Sequence, residues 1–168
     1  MTLDLEADVF PNNFIYLVSE RFKLIDPMFA KAVFRRPLRK SDPNHSIGVF
    51  ATTWSPEQDS VEMGGLKPAG SRDATLQDYN VVIQSFVKDM DEVRGLAHHG
   101  VIAKSLRGTL ARDVPLGVAL QTLNSSVGGP LEVLASWRIG TQRYYTNELD
   151  GSWLYMSTLD VQIQTQTI

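Results

Sequence analysis

Two long runs of alternating residues near the end of the chain constrain its fold most. They occupy 131–165 and flank the turn 148–151, where Asp150-Gly151 is a strong hairpin signal. In each run, apolar and aromatic residues alternate with more polar ones, which is typical of half-buried antiparallel strands. The alternation predicts one inward set, Val133, Ala135, Trp137 and Ile139, on the first strand, and another, Trp153, Tyr155, Ser157, Leu159, Val161 and Ile163, on the second.

The composition excludes several classes of protein. A chain of 168 residues with 43% hydrophobic content fits a single globular domain. It contains no cysteine, which excludes disulfides, thiolate catalysis and cysteine metal sites. A formal net charge of −3 gives no general attraction to nucleic acid. The acidic first ten residues do not resemble a secretory signal, and no apolar stretch approaches the roughly 20 residues that cross a bilayer. We therefore expect a soluble protein with no membrane partner.

The remaining periodicities predict three helices and two further strands. Helices are expected over 14–24, capped by Asn12 and Asn13, from Asp91 onward, and from Asp113 to about Leu123. Strands are expected over 47–54 and 75–88. This order predicts an α+β fold, a mostly antiparallel four-stranded sheet with helices packed on one face. The single domain 1–168 would carry an exposed basic segment near 31–44 and a long loop near 55–74. The long helix should bury Val93, Leu96, Ala103, Leu106 and Leu110.

No residue pattern predicts catalysis, a cofactor or a metal. His98 and His99 are adjacent on a helix, so their side chains diverge by about 100° and cannot share one ion. We expect a pair on the helix surface or in an interface. The glycine-rich turns lack a phosphate-loop ending, and there is no nucleophile elbow. The basic residues between Lys31 and Lys40 lack the interleaved aromatics of single-strand binders, so they indicate a solvated loop or an arm that meets an acidic neighbour.

The aromatic residues of the hairpin suggest core packing and an interface. Tyrosine and tryptophan are favoured in both environments. The two strands also exceed the usual length of about five or six residues, so the ribbon could overhang the core and offer an edge to a neighbour. The candidate interface residues are Arg35, Arg36, Arg39, Trp54, Leu66, Trp137, Tyr144, Tyr145 and Trp153.

Two parts of the sequence resemble a known family. The strand, helix and Arg112-Asp113 step of 76–115, together with 137–147 and 151–165, resemble the tail-terminator proteins of long, non-contractile-tailed bacteriophages. The small neck proteins encoded beside them are similar too. The resemblance covers roughly the second half of the chain and its first helix.

This resemblance implies a structural virion protein and no enzyme. Such proteins usually form a hexameric ring on the last ring of the tail tube, where they halt polymerisation of the tube. The implied partners are further copies of the chain, the tail tube protein and a head-side connector or stopper protein. Genomic double-stranded DNA would pass through the lumen of the ring without sequence-specific binding. The implied location is the head–tail junction of a virion assembled in the host cytoplasm.

Two alternatives stay open at this stage. The first is another neck component, namely a head-closure or stopper protein or a minor tail protein. The second is a small ligand-binding domain or enzyme that uses His98, His99 and the basic segment. Gene deletion separates the first alternative from a tail terminator, because loss of a stopper releases DNA from heads while tails keep their correct length.

Overall fold

A computed structural model describes residues 9–24, 32–53, 60–61, 75–126 and 131–167. Within these ranges, three helices and a sheet of seven strands are formed. The helices are α1 (Asn12–Phe22), α2 (Glu92–Arg112) and α3 (Val114–Gln121). The strands are β1 (Val33–Phe34), β2 (Ser46–Thr53), β3 (Ser60–Val61), β4 (Thr75–Asp89), β5 (Asn124–Ser125), β6 (Glu132–Leu149) and β7 (Ser152–Thr167).

The predicted α+β class and the mostly antiparallel sheet are confirmed. The strand order is β1-β2-β4-β7-β6-β5, with β3 also paired to β4, and among these pairs only β1 and β2 run parallel. The four predicted strands are the long ones, β2, β4, β6 and β7. The count of four is too low because β1, β3 and β5 have two residues each, and two residues show no alternation.

The core lies between the three helices and one face of the sheet. Helix α2 packs on β4 and β7, and α1 packs on β2 and against both other helices. Every second residue of the central strands points into this layer, as a period of two requires. The largest fully buried side chains include Phe14, Val18 and Phe22 of α1, Ile47 and Val49 of β2, Ile83 of β4, Leu106 of α2, Leu116 and Leu120 of α3, and Leu159 and Ile163 of β7.

The terminal hairpin has the predicted turn. Leu149 pairs with Ser152, and the two residues between them have positive φ, 52° at Asp150 and 76° at Gly151. Two consecutive positive φ values are characteristic of a two-residue type I′ turn, which Asp-Gly favours. The predicted inward set of β7 is confirmed, since Tyr155, Ser157, Leu159, Val161 and Ile163 are buried and Trp153 is half-buried against the core.

The predicted inward set of β6 is wrong at its start. The register between β6 and β7 shifts between Leu134 and Ser136 and again between Ile139 and Gln142. Each extra residue reverses the alternation, because side chains in a strand change face at every position. The residues of β6 that pack on the core are therefore Leu134, Trp137 and Ile139, and Val133 and Ala135 do not join them.

The hairpin does not overhang the core, contrary to expectation. Strand β4 follows β7 almost to the turn, from Leu76 opposite Gln166 to Asp89 opposite Trp153. What the hairpin leaves bare is the outer edge of β6. Strand β5 pairs with β6 only at 132–133, and no other strand of the described ranges pairs with that edge along 134–149.

All three predicted helices are present, and two of them differ in detail from the prediction. Pro11, and not Asn12 or Asn13, is the N-cap of helix α1. The predicted cap residue Asn13 is a buried helical residue whose side-chain amide donates to the Asn124 carbonyl at 3.2 Å. Helix α2 begins as predicted, because Asp91 accepts a hydrogen bond from the Arg94 N–H. Its Val93 and Leu96, however, are exposed by 77% and 58%. The buried face consists of Gly95, His99, Ile102, Ala103, Leu106 and Leu110.

Gly95 explains why the buried face of α2 differs from the predicted one. A Cβ atom at Gly95 would lie 2.6 Å from Cε2 of Tyr155 and 2.9 Å from Cβ of Asp89. The helix therefore packs against Tyr155 of β7 at a glycine, and a glycine does not contribute to a pattern of apolar side chains. None of the described helices is long and apolar enough to cross a membrane.

Candidate assembly surfaces

The bare edge of β6 carries two of the predicted interface residues. Tyr144 and Tyr145 are exposed by 60% and 52%. Tyr144 is on the helix side of the sheet, with its ring edge-on to His99 at a centroid distance of 5.9 Å. Tyr145 is on the opposite side, across from Met156. A sheet edge exposes unpaired N–H and C=O groups, which another chain can pair with. The two tyrosines add amphipathic contact area on both sides of that edge.

The two tryptophans of the hairpin are held by the core. Trp137 is edge-on to Phe14 of α1, with ring centroids 6.4 Å apart. Trp153 is half-buried against the same core cluster. Packing within the chain thus accounts for much of the surface of both side chains, so Tyr144 and Tyr145 are the stronger interface candidates.

Within the basic segment, Arg36 is tied to its own loop. Its guanidinium binds Asp42 through two hydrogen bonds of 2.7 and 2.9 Å and lies 4.2 Å from the ring centroid of Phe34. The hydrogen bonds from Arg36 lower the pKa of Asp42 to about 2, from its usual 3.8. The Leu38 N–H donates to the Gln84 side chain of β4, so the loop lies on the sheet. Residues 35–44 of the predicted basic segment, which we call the strap, are mostly exposed and lie across the face of the sheet opposite the helices.

Arg35, Arg39 and Lys40 are exposed cations of this strap. The guanidinium of Arg35 lies 5.2 Å from the ring centroid of Tyr16, and the backbone N–H of Arg39 donates to Asp42. The strap follows β1, at the opposite edge of the sheet from β6. The structure therefore separates the predicted site residues into two distant surfaces. Trp54, Leu66 and most of the predicted loop 55–74 lie outside the described residues.

The two adjacent histidines occupy different environments, so the predicted surface pair is wrong for His99. That side chain is 3% exposed, its Nε2 lies 3.2 Å from Oγ of Ser85, and its ring stacks on Tyr155. Burial lowers the pKa of His99 below its usual 6.5. His98 is exposed, and its ring meets that of His45.

The buried polar cluster around His99 is structural. Ser85 is hydrogen-bonded to both His99 and Ser157, and the two serines are 0% and 1% exposed. A hydroxyl that solvent cannot touch cannot attack a substrate. Among the described residues, no group of three histidine or acidic side chains could hold a metal ion.

Sequence reasoning missed an apolar surface on the helices. Val93, Leu96 and Val101 of α2 and Val114 and Val118 of α3 are all exposed. The sequence does contain a signal for this surface. Val93, Ala97 and Val101 are spaced by four residues, so they lie on one side of α2, opposite its buried face. Gly100 and Gly108 of α2 also lack a packing role, because a Cβ at either would meet nothing within 4 Å.

Comparison with known proteins yields no family. No protein-family model matches the chain, and no curated protein matches its sequence. One similar solved structure is described as "Virion of native gene transfer agent (GTA) particle". Its chain has 11% sequence identity to this one and a TM-score of 0.41, with 95% of this chain and 94% of that chain covered. A similarity this low carries no argument about function.

Proposed function

We propose that this chain is a structural virion protein of the tail-terminator type. The observation that carries the proposal is the bare edge of β6 along 134–149, with Tyr144 and Tyr145 exposed on its two sides. Proteins that act alone usually cover or blunt such an edge, so one of this length favours a protein that completes its sheet with a neighbour. The resemblance of 76–115 and of the hairpin to tail terminators supplies the type of assembly.

A ring suits the arrangement of the two surfaces. A cyclic assembly needs two different faces on each subunit, so that one face of a copy contacts the other face of the next. The β6 edge and Arg35, which directly follows the edge strand β1, lie at opposite edges of the sheet, and Arg39 lies on the strap that begins there. In this proposal the ring is a hexamer at the head–tail junction, with the tail tube protein on one side and a head-side connector or stopper protein on the other. DNA passes through its lumen without sequence-specific contacts.

The proposal includes no catalytic residue, cofactor or metal. Of the two histidines that the enzyme alternative would use, His99 is enclosed in the core and His98 is exposed. Arg36 of the basic segment is paired with Asp42. Alanine replacement of His98, which is exposed and lies outside both proposed ring faces, tests this part. Particle assembly is expected to be unimpaired by His98→Ala. Loss of a bound small molecule from purified protein without loss of assembly would favour the ligand-binding alternative.

Deletion of the gene from the genome that encodes it tests the proposed function. We expect filled heads that are not joined to tails, and tails of abnormal length, both visible by electron microscopy. Heads that lose DNA beside tails of normal length would instead identify a head-closure or stopper protein. Infectious particles of normal morphology would overturn both assignments.

A further inference from the structure

The tip of the terminal hairpin is a small acidic knob. It consists of Glu148, Leu149 and Asp150, all exposed, on a turn whose positive φ values fix its shape. Leu149 is a large apolar side chain with 55% of its surface exposed. No ion pair within the described part of the chain involves Glu148 or Asp150. Among the described residues, the tip therefore offers two carboxylates without an ion-pair partner beside one apolar group.

A groove at the far end of α2 has the complementary character. It is a shallow cavity of about 490 Å³ between the C-terminal ends of α1 and α2, lined by residues that include Leu24, Ser105, Gly108, Thr109 and Arg112. Leu24 is 69% exposed. A Cβ atom at Gly108 would meet nothing within 4 Å, so the floor of the groove is open backbone.

The charge of the groove comes from Arg112. The other arginine there, Arg21, is neutralised by Asp113, which accepts two hydrogen bonds of 2.7 and 2.9 Å from it. Arg112 has no acidic partner in the part of the chain that the structure describes. The groove thus has one uncompensated positive charge beside an exposed leucine, and the tip has two negative charges beside another.

Gly108 gives a second reason to expect a close neighbour. Glycine in a helix interior is less favourable than alanine by about 1 kcal/mol, and Gly108, unlike the equally open Gly100, lies in the lining of the groove. Among the residues that the structure describes, no atom lies within 4 Å of a Cβ placed at Gly108. A backbone that approaches the helix closely, such as the turn at Asp150-Gly151, would use the missing Cβ.

The tip cannot reach the groove of its own chain. The hydroxyl of Tyr155 donates to the Glu92 carbonyl at 2.8 Å, so the tip end of the hairpin is fixed beside the start of α2. The groove lies at the other end of this helix of 21 residues, roughly 30 Å away at 1.5 Å per residue. Any contact between tip and groove must therefore join two molecules.

We infer that the hairpin tip of one copy docks into the α1–α2 groove of a second copy. Glu148 and Asp150 meet Arg112, and Leu149 packs on Leu24. The contact is head-to-tail, so it repeats from copy to copy and closes into a ring if the rotation permits. The closure into a ring rests on the proposed function, whereas the pairwise contact does not.

Disulfide trapping tests the contact directly, because the full chain has no cysteine of its own. The double variant Asp150→Cys/Arg112→Cys is expected to form a ladder of covalent multimers under mild oxidation. The matched control is Gln162→Cys/Arg112→Cys, since Gln162 is also exposed but lies on β7, away from the tip and from the edge of β6. Cross-linking of the Asp150 variant no greater than that of the control would overturn the inference.

Charge reversal provides a second, independent test. Glu148→Arg/Asp150→Arg and Arg112→Glu are each expected to weaken self-association, measured by sedimentation, by about tenfold, and their combination is expected to restore it. If rings form but this pair neither cross-links nor shows rescue, the contact is wrong and the proposed function stands. If the pair cross-links but the deletion mutant makes normal particles, the contact stands and the tail-terminator assignment fails.

Discussion

At the scale of single residues, the buried His99 couples stability to pH. Burial lowers its pKa in the folded state below the usual 6.5, so the unfolded chain binds a proton more readily. The stabilisation is therefore fully present above about pH 6.5 and is lost as the pH falls from there toward the lowered pKa of the folded state.

We predict that His99→Phe flattens this dependence. The urea midpoint of the wild type should fall between pH 7.5 and pH 5.5, and the midpoint of His99→Phe should change less over the same interval. His98→Phe is the matched control, because His98 is the exposed neighbour on the same helix. A dependence that His98→Phe abolishes and His99→Phe preserves would contradict the assignment.

Two glycines of α2 should respond oppositely to the same substitution. Gly95→Ala forces a methyl group against the Tyr155 ring and Asp89, and we expect it to lower the free energy of unfolding by about 1–3 kcal/mol. Gly100→Ala adds its methyl group in open space and should raise the free energy of unfolding by about 0.5–1 kcal/mol. Urea denaturation measures both, and equal effects of the two substitutions would show that the helix packs differently.

At the scale of secondary-structure elements, Asp113 joins three helices. Its carboxylate accepts a hydrogen bond from the Leu116 N–H at the start of α3, directly after α2 ends. The same carboxylate binds Arg21 of α1, which holds the pKa of Asp113 below its usual range. The cap and the ion pair thus depend on one side chain.

The roles of Asp113 can be separated by substitution. Asp113→Ala removes cap and ion pair and should lower the free energy of unfolding by about 1–2 kcal/mol. Asp113→Asn keeps an oxygen that can cap the helix and should recover most of this loss, as measured by urea denaturation at neutral pH. Equal losses in the two variants would assign the stabilisation to the ion pair with Arg21 instead.

The strands and turns that could be predicted are those with local signals. Strand β7 keeps an unbroken alternation over its length, and Asp150-Gly151 needs no distant partner to form its turn. The inward set of β6 could not be predicted, because its two register shifts exist only relative to β7. The buried face of α2 was also out of reach, since Gly95 and His99 owe their burial to Tyr155 and Ser85 on other elements.

For the candidate surfaces, too, residues with a local sequence signal could be predicted and those that depend on contacts elsewhere in the fold could not. Tyr144 and Tyr145 follow from strand length and residue type, so the sequence was sufficient to nominate them. The pairing of Arg36 with Asp42 was not foreseen, because it requires the intervening loop to fold back on the sheet. The packing of Trp137 on Phe14 could not be predicted either, because it depends on the position of α1, which is distant in sequence from β6.

At the scale of the whole molecule, the proposed function assigns assembly to one strand of the hairpin, β6, whereas burial assigns stability to the other, β7. Strand β7 is paired on both sides and supplies the buried residues Tyr155, Leu159 and Val161. The distal half of β6 is paired on one side and exposed along its length. Substitutions on β7 should therefore unfold the chain, whereas those on the outer edge of β6 can leave it folded and change what it binds.

The bare edge can be tested with a single lysine. Lysine on an edge strand opposes strand addition, so Tyr145→Lys should block assembly into particles while it changes the free energy of unfolding by only about 0.5 kcal/mol. The matched control is Val118→Lys on α3, since Val118 is a comparably exposed apolar residue that is remote from β6. Assembly is measured by complementing the deletion mutant with each variant and counting joined particles by electron microscopy. The free energy of unfolding is measured by urea denaturation of each purified variant. If folded Tyr145→Lys protein supports as many joined particles as Val118→Lys, the β6 edge is not an assembly surface. A neighbouring strand paired with that edge would have been displaced by the lysine.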